Sequence, residues 1–353
     1  VTLKDIAERM NVSTVTVSKA LHGHPDISPE TAMNIQALAQ ALGYIPNYFA
    51  RSISSNYSKT IGIVVPIISD PFYSQIFEVM YHLAFEKGYE IILKVSRESA
   101  QRERKCIETL LSMRVDAIIV SITEETTDVS IFQSVKQFGV PLTFINRAID
   151  EAGFNKVVVD EFAGAYEAAD KVIKLGYKKI AHLSDYKHNV IAKSQLMGFE
   201  EALKQHNIPV RKELILSCGF TDKDGYESLL KLYAAKNLPD CIFCFSFPIA
   251  FGVYRAACEI GLKIPEDIEI ISFGNSAMNQ FLSPSLPYVV QPASELGLKA
   301  IELTLKNIIN NDSFVPQTIK IPTHLVLRDS CGSFQKHTSQ WNTVSANRVG
   351  VFV

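Results

Sequence analysis

The stretch Leu3-Lys-Asp-Ile-Ala-Glu-Arg-Met-Asn-Val-Ser-Thr-Val-Thr-Val-Ser-Lys-Ala-Leu21 predicts a helix, a tight turn and a second helix. Its first half repeats apolar residues at helical spacing, at Leu3, Ile6, Ala7 and Met10. Asn11-Val-Ser13 interrupts this pattern, and Ser13 is a good N-cap for the helix that follows. Val17, Ala20 and Leu21 then face the first helix. The stretch therefore predicts a compact helical hairpin.

The outer face of the second predicted helix is small and rich in hydroxyl groups. It carries Thr14, Val15, Thr16, Ser18 and Lys19. Small side chains allow close approach to the major groove of DNA, Thr and Val methyls can contact thymine methyls, and a Lys can reach guanine or phosphate. An ordinary solvated face of a helical hairpin explains these residues equally well. Charge does not decide between the two, because the chain up to Lys59 is barely basic.

A third predicted helix and a short motif follow the hairpin. Ser28-Pro-Glu-Thr31 combines an N-cap Ser with Pro at the first helical position, and the apolar stripe after it ends at Gly43. Next comes Gly43-Tyr-Ile-Pro-Asn-Tyr-Phe-Ala-Arg-Ser-Ile53. The hairpin and this motif together closely resemble the Lac repressor (LacI/GalR-type) family of bacterial transcriptional regulators. The resemblance extends along the chain to about Gly332.

The resemblance implies which residues contact DNA. Thr14, Val15 and Lys19 match base-reading positions of the family, although Arg is common where Lys19 stands. Residues 46–54 would form a hinge helix that folds in the minor groove when two subunits bind a palindromic operator. Ile53 stands where the family usually has a Leu wedge, and an ordinary linker role is the alternative. The predicted DNA-binding residues are Thr14, Val15, Thr16, Ser18, Lys19, Asn47, Arg51 and Ile53.

Composition limits the class of protein. With 353 residues, 47% of them hydrophobic, the chain can form two or three domains with a large core. We expect a cytoplasmic protein, because no apolar run could span a membrane and the first residues form a polar helix rather than a signal peptide. Cys241-Ile-Phe-Cys244 lies in an apolar run typical of a buried strand, whose alternation separates the two thiols. We therefore expect neither a metal nor a cofactor.

From Thr60 onward, short β-rich runs alternate with amphipathic segments, which predicts parallel βαβ units. The predicted fold class is α/β: an N-terminal three-helix helix-turn-helix domain with a hinge helix, then two Rossmann-like lobes. The lobes resemble the family's effector domain, which is of periplasmic-binding-protein type.

The predicted boundaries are 1–45 for the helix-turn-helix domain, 46–59 for the hinge helix and linker, 60–330 for the effector-binding and dimerisation domain, and 331–353 for a disordered tail without a leucine heptad. The first lobe would comprise about 60–161 and 292–321, and the second about 162–291 and 322–330.

Ligands of such sheets bind beyond the carboxyl ends of the strands. The resemblance implies that Phe72 and Tyr73 pack on an effector ring, that Arg147 holds polar groups, and that Asp160 accepts from hydroxyls or stabilises a crossover. Core packing is the alternative for the two aromatics. The predicted effector-binding residues are Asp70, Phe72, Tyr73, Arg147, Asp160, Lys193, Gln195, Phe220, Ser246, Phe247 and Asn275.

Several of these positions depart from the family pattern. Lys193 and Gln195 stand where Arg is usual, Ser246-Phe247 replaces Asn-Asp, and Gly274-Asn275 replaces an acidic pair. Four phenylalanines also cluster nearby, at positions 243, 245, 247 and 251. We therefore expect a cleft less polar than a monosaccharide site, with an effector other than a simple free hexose or with reduced ligand dependence.

The predicted function is a sequence-specific DNA-binding transcriptional regulator, in the first instance a repressor. A small effector, a sugar or sugar-derived metabolite, would control a homodimer bound to a pseudo-palindromic duplex operator. A solute-binding or sensor protein without DNA function would explain residues 60–330 but not Leu3–Leu21. An enzyme is disfavoured, because the chain has no phosphate loop, no H-E-x-x-H and no G-x-S-x-G motif.

Overall fold

The structure is a computed structural model that describes residues 1–45, 57–185, 189–274, 276–309 and 315–331. It divides into two compact units, Val1–Lys59 and Thr60–Val353. The predicted hinge helix lies outside the described residues, as does the predicted tail beyond Cys331. Both stay predictions.

Three short helices form the N-terminal unit: α1 (Leu3–Met10), α2 (Thr14–Leu21) and α3 (Pro29–Ala41). α2 and α3 begin at the predicted caps. The Oγ of Ser13 accepts from the Thr16 amide at 3.0 Å, and the Oγ of Ser28 accepts from the Thr31 amide at 3.2 Å. The fully buried residues of this unit are Ile6, Val17, Ala20 and Ile35. The predicted hairpin and third helix are confirmed.

The second unit contains two parallel sheets and their helices. In chain order its strands and α-helices are β1 (Thr60–Val65), α4 (Pro71–Glu86), β2 (Glu90–Val95), α5 (Ala100–Ser112), β3 (Ala117–Val120), α6 (Ser130–Gln137), β4 (Leu142–Ile145), β5 (Asn155–Val159), α7 (Glu161–Lys174), β6 (Ile180–Ser184), α8 (Val190–Gln205), β7 (Ile215–Ser217), α9 (Asp222–Ala234), β8 (Cys241–Cys244), α10 (Phe247–Glu259), β9 (Glu269–Phe273), β10 (Tyr288–Val290), α11 (Ala293–Ile309), β11 (Thr318–Ile321) and β12 (His324–Val326). The predicted alternation of strands and helices is confirmed.

The first lobe is built on a six-stranded sheet of order β11-β5-β4-β3-β1-β2. All of its pairings are parallel. Every residue of β1, β3 and β4 is buried, because helices cover both faces of the sheet. α4 and α11 pack on one face, and α5 and α6 pack on the other. The carboxyl ends of these strands therefore meet at one edge of the lobe.

The second lobe has a six-stranded sheet of order β12-β10-β9-β8-β6-β7. Its pairings are parallel except that β12 runs antiparallel to β10. α7 and α8 pack on one face, and α9 and α10 pack on the other. Cys241 and Cys244 are both buried in β8, as predicted for this strand. Among the described residues, no His, Cys, Asp and Glu cluster could hold a metal ion.

The chain passes from one lobe to the other three times. The passages run from β5 into α7, from β10 into α11 and from β11 into β12. Each lobe is thus assembled from separate segments of chain, as in a doubly wound ligand-binding fold. No helix in the described parts of the chain has the length and apolar character needed to cross a membrane.

Candidate DNA-binding helix and effector cleft

The outer face of helix α2 is the candidate DNA-binding surface. Val17 and Ala20 are fully buried against α1 and α3, whereas the side chain of Val15 is 62% exposed and Thr14 is exposed. The other predicted contacts on this helix, Thr16, Ser18 and Lys19, are half-buried. The packing of the unit therefore occupies one side of α2 and leaves the predicted base-reading side accessible.

Lys19 makes an ion pair within this unit. Its Nζ lies 2.8 Å from Oδ2 of Asp26, and the two side chains are 40% and 59% exposed. The hydrogen bond from Lys19 lowers the pKa of the Asp26 carboxyl. An exposed pair of this kind contributes little stability and exchanges readily with solvent or another anion. Three further predicted DNA contacts, Asn47, Arg51 and Ile53, lie outside the described residues and stay predictions.

In the second unit, Tyr73, Ser121 and Asn146 form a polar cluster, the Tyr73 cluster, at the carboxyl ends of β1, β3 and β4. The Tyr73 hydroxyl lies 2.9 Å from Ser121 Oγ and accepts from Asn146 Nδ2 at 3.1 Å. Tyr73 is buried, and this burial raises the pKa of its hydroxyl. Phe72 contacts its ring edge-on at a centroid distance of 5.7 Å and is only half-buried. Of the two predicted aromatics, Phe72 is therefore the more accessible to a ligand.

Arg147 lies beside the Tyr73 cluster, and its guanidinium forms ion pairs with two carboxylates. Its Nη1 donates to both oxygens of Glu98, at 2.8 and 3.0 Å, and its Nη2 lies 3.3 Å from Glu124 Oε1. The Glu124 amide also donates to Glu98 at 3.1 Å. Burial raises the pKa of Glu124, and the charge of Arg147 opposes that shift. Hydrogen bonds between charged groups are among the stronger hydrogen-bonded contacts in proteins.

Asn189 lies in the second lobe and connects it to the group formed by Arg147, Glu98 and Glu124. Its Nδ2 donates to Glu124 Oε1, and its Oδ1 accepts from the Ala192 amide as the N-cap of α8. Asn189 is only 3% exposed. We call Glu98, Glu124, Arg147 and Asn189 the interlobe cluster. Because three of its members come from one lobe and the fourth from the other, movement of the lobes must remake its hydrogen bonds.

The backbone around the interlobe cluster adopts left-handed conformations. Arg97, Glu98 and Asn146 have φ values of 53°, 56° and 61°. Non-glycine residues rarely adopt this region, and such conformations concentrate at ligand sites where the surrounding structure holds them. The loops after β2 and β4 thus present Glu98 and Arg147 in a fixed geometry.

Other predicted effector residues cap helices, lie on the surface or fall outside the described residues. Asp70 and Asp160 cap α4 and α7, because their carboxylates accept hydrogen bonds from the amides of Phe72 and Ala163. Lys193 is exposed on α8, and Asn275 lies outside the described residues. The structure therefore gathers only part of the predicted set around Arg147, and the assignment of effector contacts stays a prediction.

Gln195 is fully buried and belongs to a second polar group. Its Nε2 donates to Glu161 Oε2 at 2.7 Å, and Gln291 also bonds to this carboxyl. Glu161 begins α7 immediately after the first passage between lobes, and Gln291 lies at the second. In this structure Gln195 has no exposed surface with which to contact an effector.

The expectation of a cleft less polar than a sugar site stays a prediction. Phe243 is a core residue packed on Phe273, and Phe247 is also buried. Phe220 packs on Phe245 at 5.4 Å, and Ser246 Oγ is buried with no hydrogen-bond partner in the structure. The strand ends of the first lobe instead carry a dense set of charged groups. Phe243 is the single phenylalanine of β8, and it packs into the core.

Glu98, Glu124 and Asn189 were not predicted from the sequence. The first two follow the ends of β2 and β3, and Asn189 caps the helix after β6. The rule that ligands bind beyond strand ends would have included all three positions had every strand of both sheets been considered.

Two profiles of known families match this chain. "Bacterial regulatory proteins, lacI family" matches residues 2–47, and "Periplasmic binding proteins and sugar binding domain of LacI family" matches residues 58–329. Fold and site thus define a two-lobed ligand-binding protein with a helix-turn-helix arm. The chain belongs to the LacI family of bacterial regulatory proteins.

Three curated relatives match over nearly their whole length. The HTH-type transcriptional repressor PurR of Actinobacillus pleuropneumoniae is 30% identical, over 95% of this chain and 99% of its own. The NTD biosynthesis operon regulator NtdR of Bacillus subtilis is 32% identical, over 93% and 99%. Catabolite control protein A of Priestia megaterium is 30% identical, over 94% and 99%.

Solved structures share the fold. The Lac repressor dimer bound to operator and the anti-inducer ONPF has a TM-score of 0.82 at 21% identity, covering 94% of this chain and 99% of its own. A LacI family transcriptional regulator from Enterococcus faecium with bound ribose has a TM-score of 0.68 at 26% identity, covering 77% and 98%.

Proposed function

We propose that this protein is a sequence-specific DNA-binding repressor that acts as a homodimer on a pseudo-palindromic operator. A small effector bound between the lobes sets its affinity for that operator. The protein works in the cytoplasm, with the bacterial chromosome, and carries out no catalytic reaction. One observation carries the proposal: a single chain joins the accessible, hydroxyl-rich α2 to a two-lobed fold whose polar groups meet between the lobes. The repressors among its relatives support it.

In this proposal α2 enters the major groove. Val15 and Thr14 contact base edges, where methyl groups can meet thymine, and Lys19 exchanges Asp26 for guanine or a phosphate. The exposure of the Lys19–Asp26 pair favours such an exchange. Because residues 1–59 carry few cations, the affinity for operator depends on base contacts and the predicted hinge more than on phosphate attraction.

The interlobe cluster supplies the regulatory coupling. An effector that engages Arg147 or Glu124 competes with the hydrogen bond between Glu124 and Asn189, and so favours one arrangement of the lobes over another. Only a ligand with unequal affinity for the two arrangements can shift operator binding. Operator binding in turn changes effector affinity by the same factor.

The test is fluorescence-anisotropy binding of the full-length protein to a pool of pseudo-palindromic duplexes at two salt concentrations. We expect tight, sequence-selective binding that Val15→Ala and Ile53→Ala each weaken. Val210→Ala, a matched change on the surface of the second lobe, should leave it unaltered. Weak binding that only follows salt concentration, in wild type and variants alike, would contradict the proposal.

Deletion of residues 1–59 separates the regulator from a solute-binding protein without DNA function. For the regulator, deletion abolishes operator binding and leaves ligand binding to the lobes. If the full-length protein binds ligand but no operator, and deletion changes neither property, the solute-binding interpretation is correct.

A further inference from the structure

Glu103 is a buried carboxylate on the inner face of α5. It is only 1% exposed and lies on the same side of the helix as Ile107 and Leu110, which are fully buried. A carboxylate in such an apolar stripe is costly unless other groups replace the hydrogen bonds that water would make. The groups that its two oxygens bind therefore indicate the role of this residue.

Both oxygens of Glu103 bind the loop that follows β3. Oε2 accepts from the Thr123 amide at 2.7 Å, and Oε1 accepts from the Thr126 hydroxyl at 2.7 Å. The Thr126 amide donates to the Thr123 carbonyl at 3.3 Å, which closes a four-residue turn over 123–126. Burial raises the pKa of the Glu103 carboxyl, and the hydrogen bonds from Thr126 and Thr123 oppose this shift. Glu103 thus fixes both ends of a turn whose second residue is Glu124.

The two central residues of this turn bind different parts of the molecule. Glu125 accepts from the Ala100 amide at 3.2 Å, at the beginning of α5. Glu124 forms the ion pair with Arg147 and accepts from Asn189 of the second lobe. The turn is therefore fastened to α5, and its Glu124 carboxylate is the part that contacts the other lobe.

We infer that Glu103 is a positioning residue of the interlobe cluster, because it holds the turn over 123–126 so that Glu124 can accept from Asn189. The inference rests on the proposed function, in which the arrangement of the lobes sets operator affinity. Glu103 acts through Glu124, since its own hydrogen bonds end within the turn. A residue that only filled space under this loop would stabilise the first lobe and would have no specific effect on the second.

Four variants separate hydrogen bonding from packing. Glu103→Leu keeps a side chain of similar size and removes both acceptors. Glu103→Gln should conserve the turn, because the glutamine oxygen can accept from the Thr123 amide and its NH₂ group can donate to Thr126 Oγ1, which can donate to Thr123 Oγ1 at 2.9 Å. Thr126→Val is milder and removes one hydrogen bond to Glu103. Leu110→Ala, two helical turns further along α5, creates a cavity but leaves the hydrogen bonds of the turn in place.

The test is hydrogen–deuterium exchange of the full-length protein, measured by mass spectrometry over residues 189–193 at the beginning of α8. Asn189→Ser is the reference, because Ser can still cap α8 but is too short to reach Glu124. We expect Glu103→Leu and Asn189→Ser each to speed this exchange about fivefold, and Thr126→Val about twofold. Glu103→Gln and Leu110→Ala should exchange here at the wild-type rate. Glu103→Leu added to Asn189→Ser should cause no further increase.

Wild-type exchange over 189–193 in Glu103→Leu would overturn the inference. So would an equal effect of Glu103→Gln or of Leu110→Ala, or a further fivefold increase in the double variant. If Glu103→Leu does not fold, the comparison of Thr126→Val with Leu110→Ala decides in the same way.

Operator binding by the same preparations separates the inference from the proposed function. Glu103→Leu should change operator affinity in the same direction and by the same factor as Asn189→Ser. A wild-type protein that binds no operator contradicts the function, whereas operator binding together with unaltered exchange in Glu103→Leu contradicts only the inference.

Discussion

Replacing Glu161 with Gln should change how stability depends on pH. Glu161 is 5% exposed, accepts from Gln195 at 2.7 Å, and has its other carboxyl oxygen buried without a hydrogen-bond partner in the structure. Burial raises the pKa of this carboxyl from 4.5 to about 7, and the hydrogen bonds from Gln195 and Gln291 only partly oppose the shift. In the folded protein at mildly acidic pH, Glu161 is therefore protonated.

The sign and size follow from linkage. Between pH 4.5 and about pH 7, the Glu161 carboxyl of the folded state keeps a proton that it has released in the unfolded state. The free energy of unfolding therefore falls as pH rises through this window, and the loss is complete above it. A shift of this size corresponds to about 3 kcal/mol. Buried His182, whose pKa burial lowers to about 3, contributes the opposite slope below its unfolded value of 6.5.

Because of His182, the difference between variant and wild type is the quantity to measure. Urea unfolding at a series of pH values should show that Glu161→Gln gains about 3 kcal/mol relative to wild type between about pH 4.5 and pH 8. Glu167→Gln, an exposed carboxylate on the same helix, should follow the wild type throughout. Parallel pH curves for Glu161→Gln and wild type would refute the reasoning.

Three further changes test other parts of the structure. Gly198→Ala should destabilise the second lobe by about 3 kcal/mol in urea unfolding, because its Cβ would lie 2.2 Å from the Phe162 carbonyl oxygen where α7 and α8 cross. Ile35→Ala should lower the free energy of unfolding of the small N-terminal unit by about 2–5 kcal/mol. This loss is enough to unfold the unit and abolish operator binding in the anisotropy assay. Asn189→Asp keeps the α8 cap but places a like charge beside Glu124, so small-angle scattering at neutral pH should show more widely separated lobes.

Each of these changes has a matched control. Met197→Ala and Met33→Ala remove exposed side chains next to Gly198 and on the same helix as Ile35, and should alter stability by no more than about 0.5 kcal/mol. For Asn189→Asp, lowering the pH should bring the lobes back together as the carboxylates become protonated. Scattering that is independent of pH would count against the interlobe cluster.

The helix-turn-helix unit followed closely from the sequence because its signals are local. Ser13 and Ser28 are caps that act within one helical turn, and both begin helices as predicted. β5 and α7 were not predicted. Asn155-Lys-Val-Val-Val159 is short, and small residues make up much of the buried face of α7. α8 approaches the α7 backbone closely at Gly198, where an added Cβ would lie 2.2 Å from the Phe162 carbonyl oxygen, and this is a tertiary requirement.

The site was less predictable than the fold. Arg147 could be identified by resemblance, but its partners come from loops after other strands, and their pairing with it depends on sheet order. Glu98 is held in place by a left-handed backbone at a non-glycine residue, which no local pattern indicates. Gln195 was assigned from resemblance, and only the structure shows that this side chain is buried against Glu161.

The three passages between the lobes also bear on how such a protein can be recombined. Residues 1–59 form one uninterrupted block, so a single junction can exchange the DNA-reading arm for another. Neither lobe can be exchanged this way, because each combines an early segment with a late one. Gene fusions at this junction can therefore redirect this regulator to new operators in one step, whereas exchange of one lobe alone requires more than one junction.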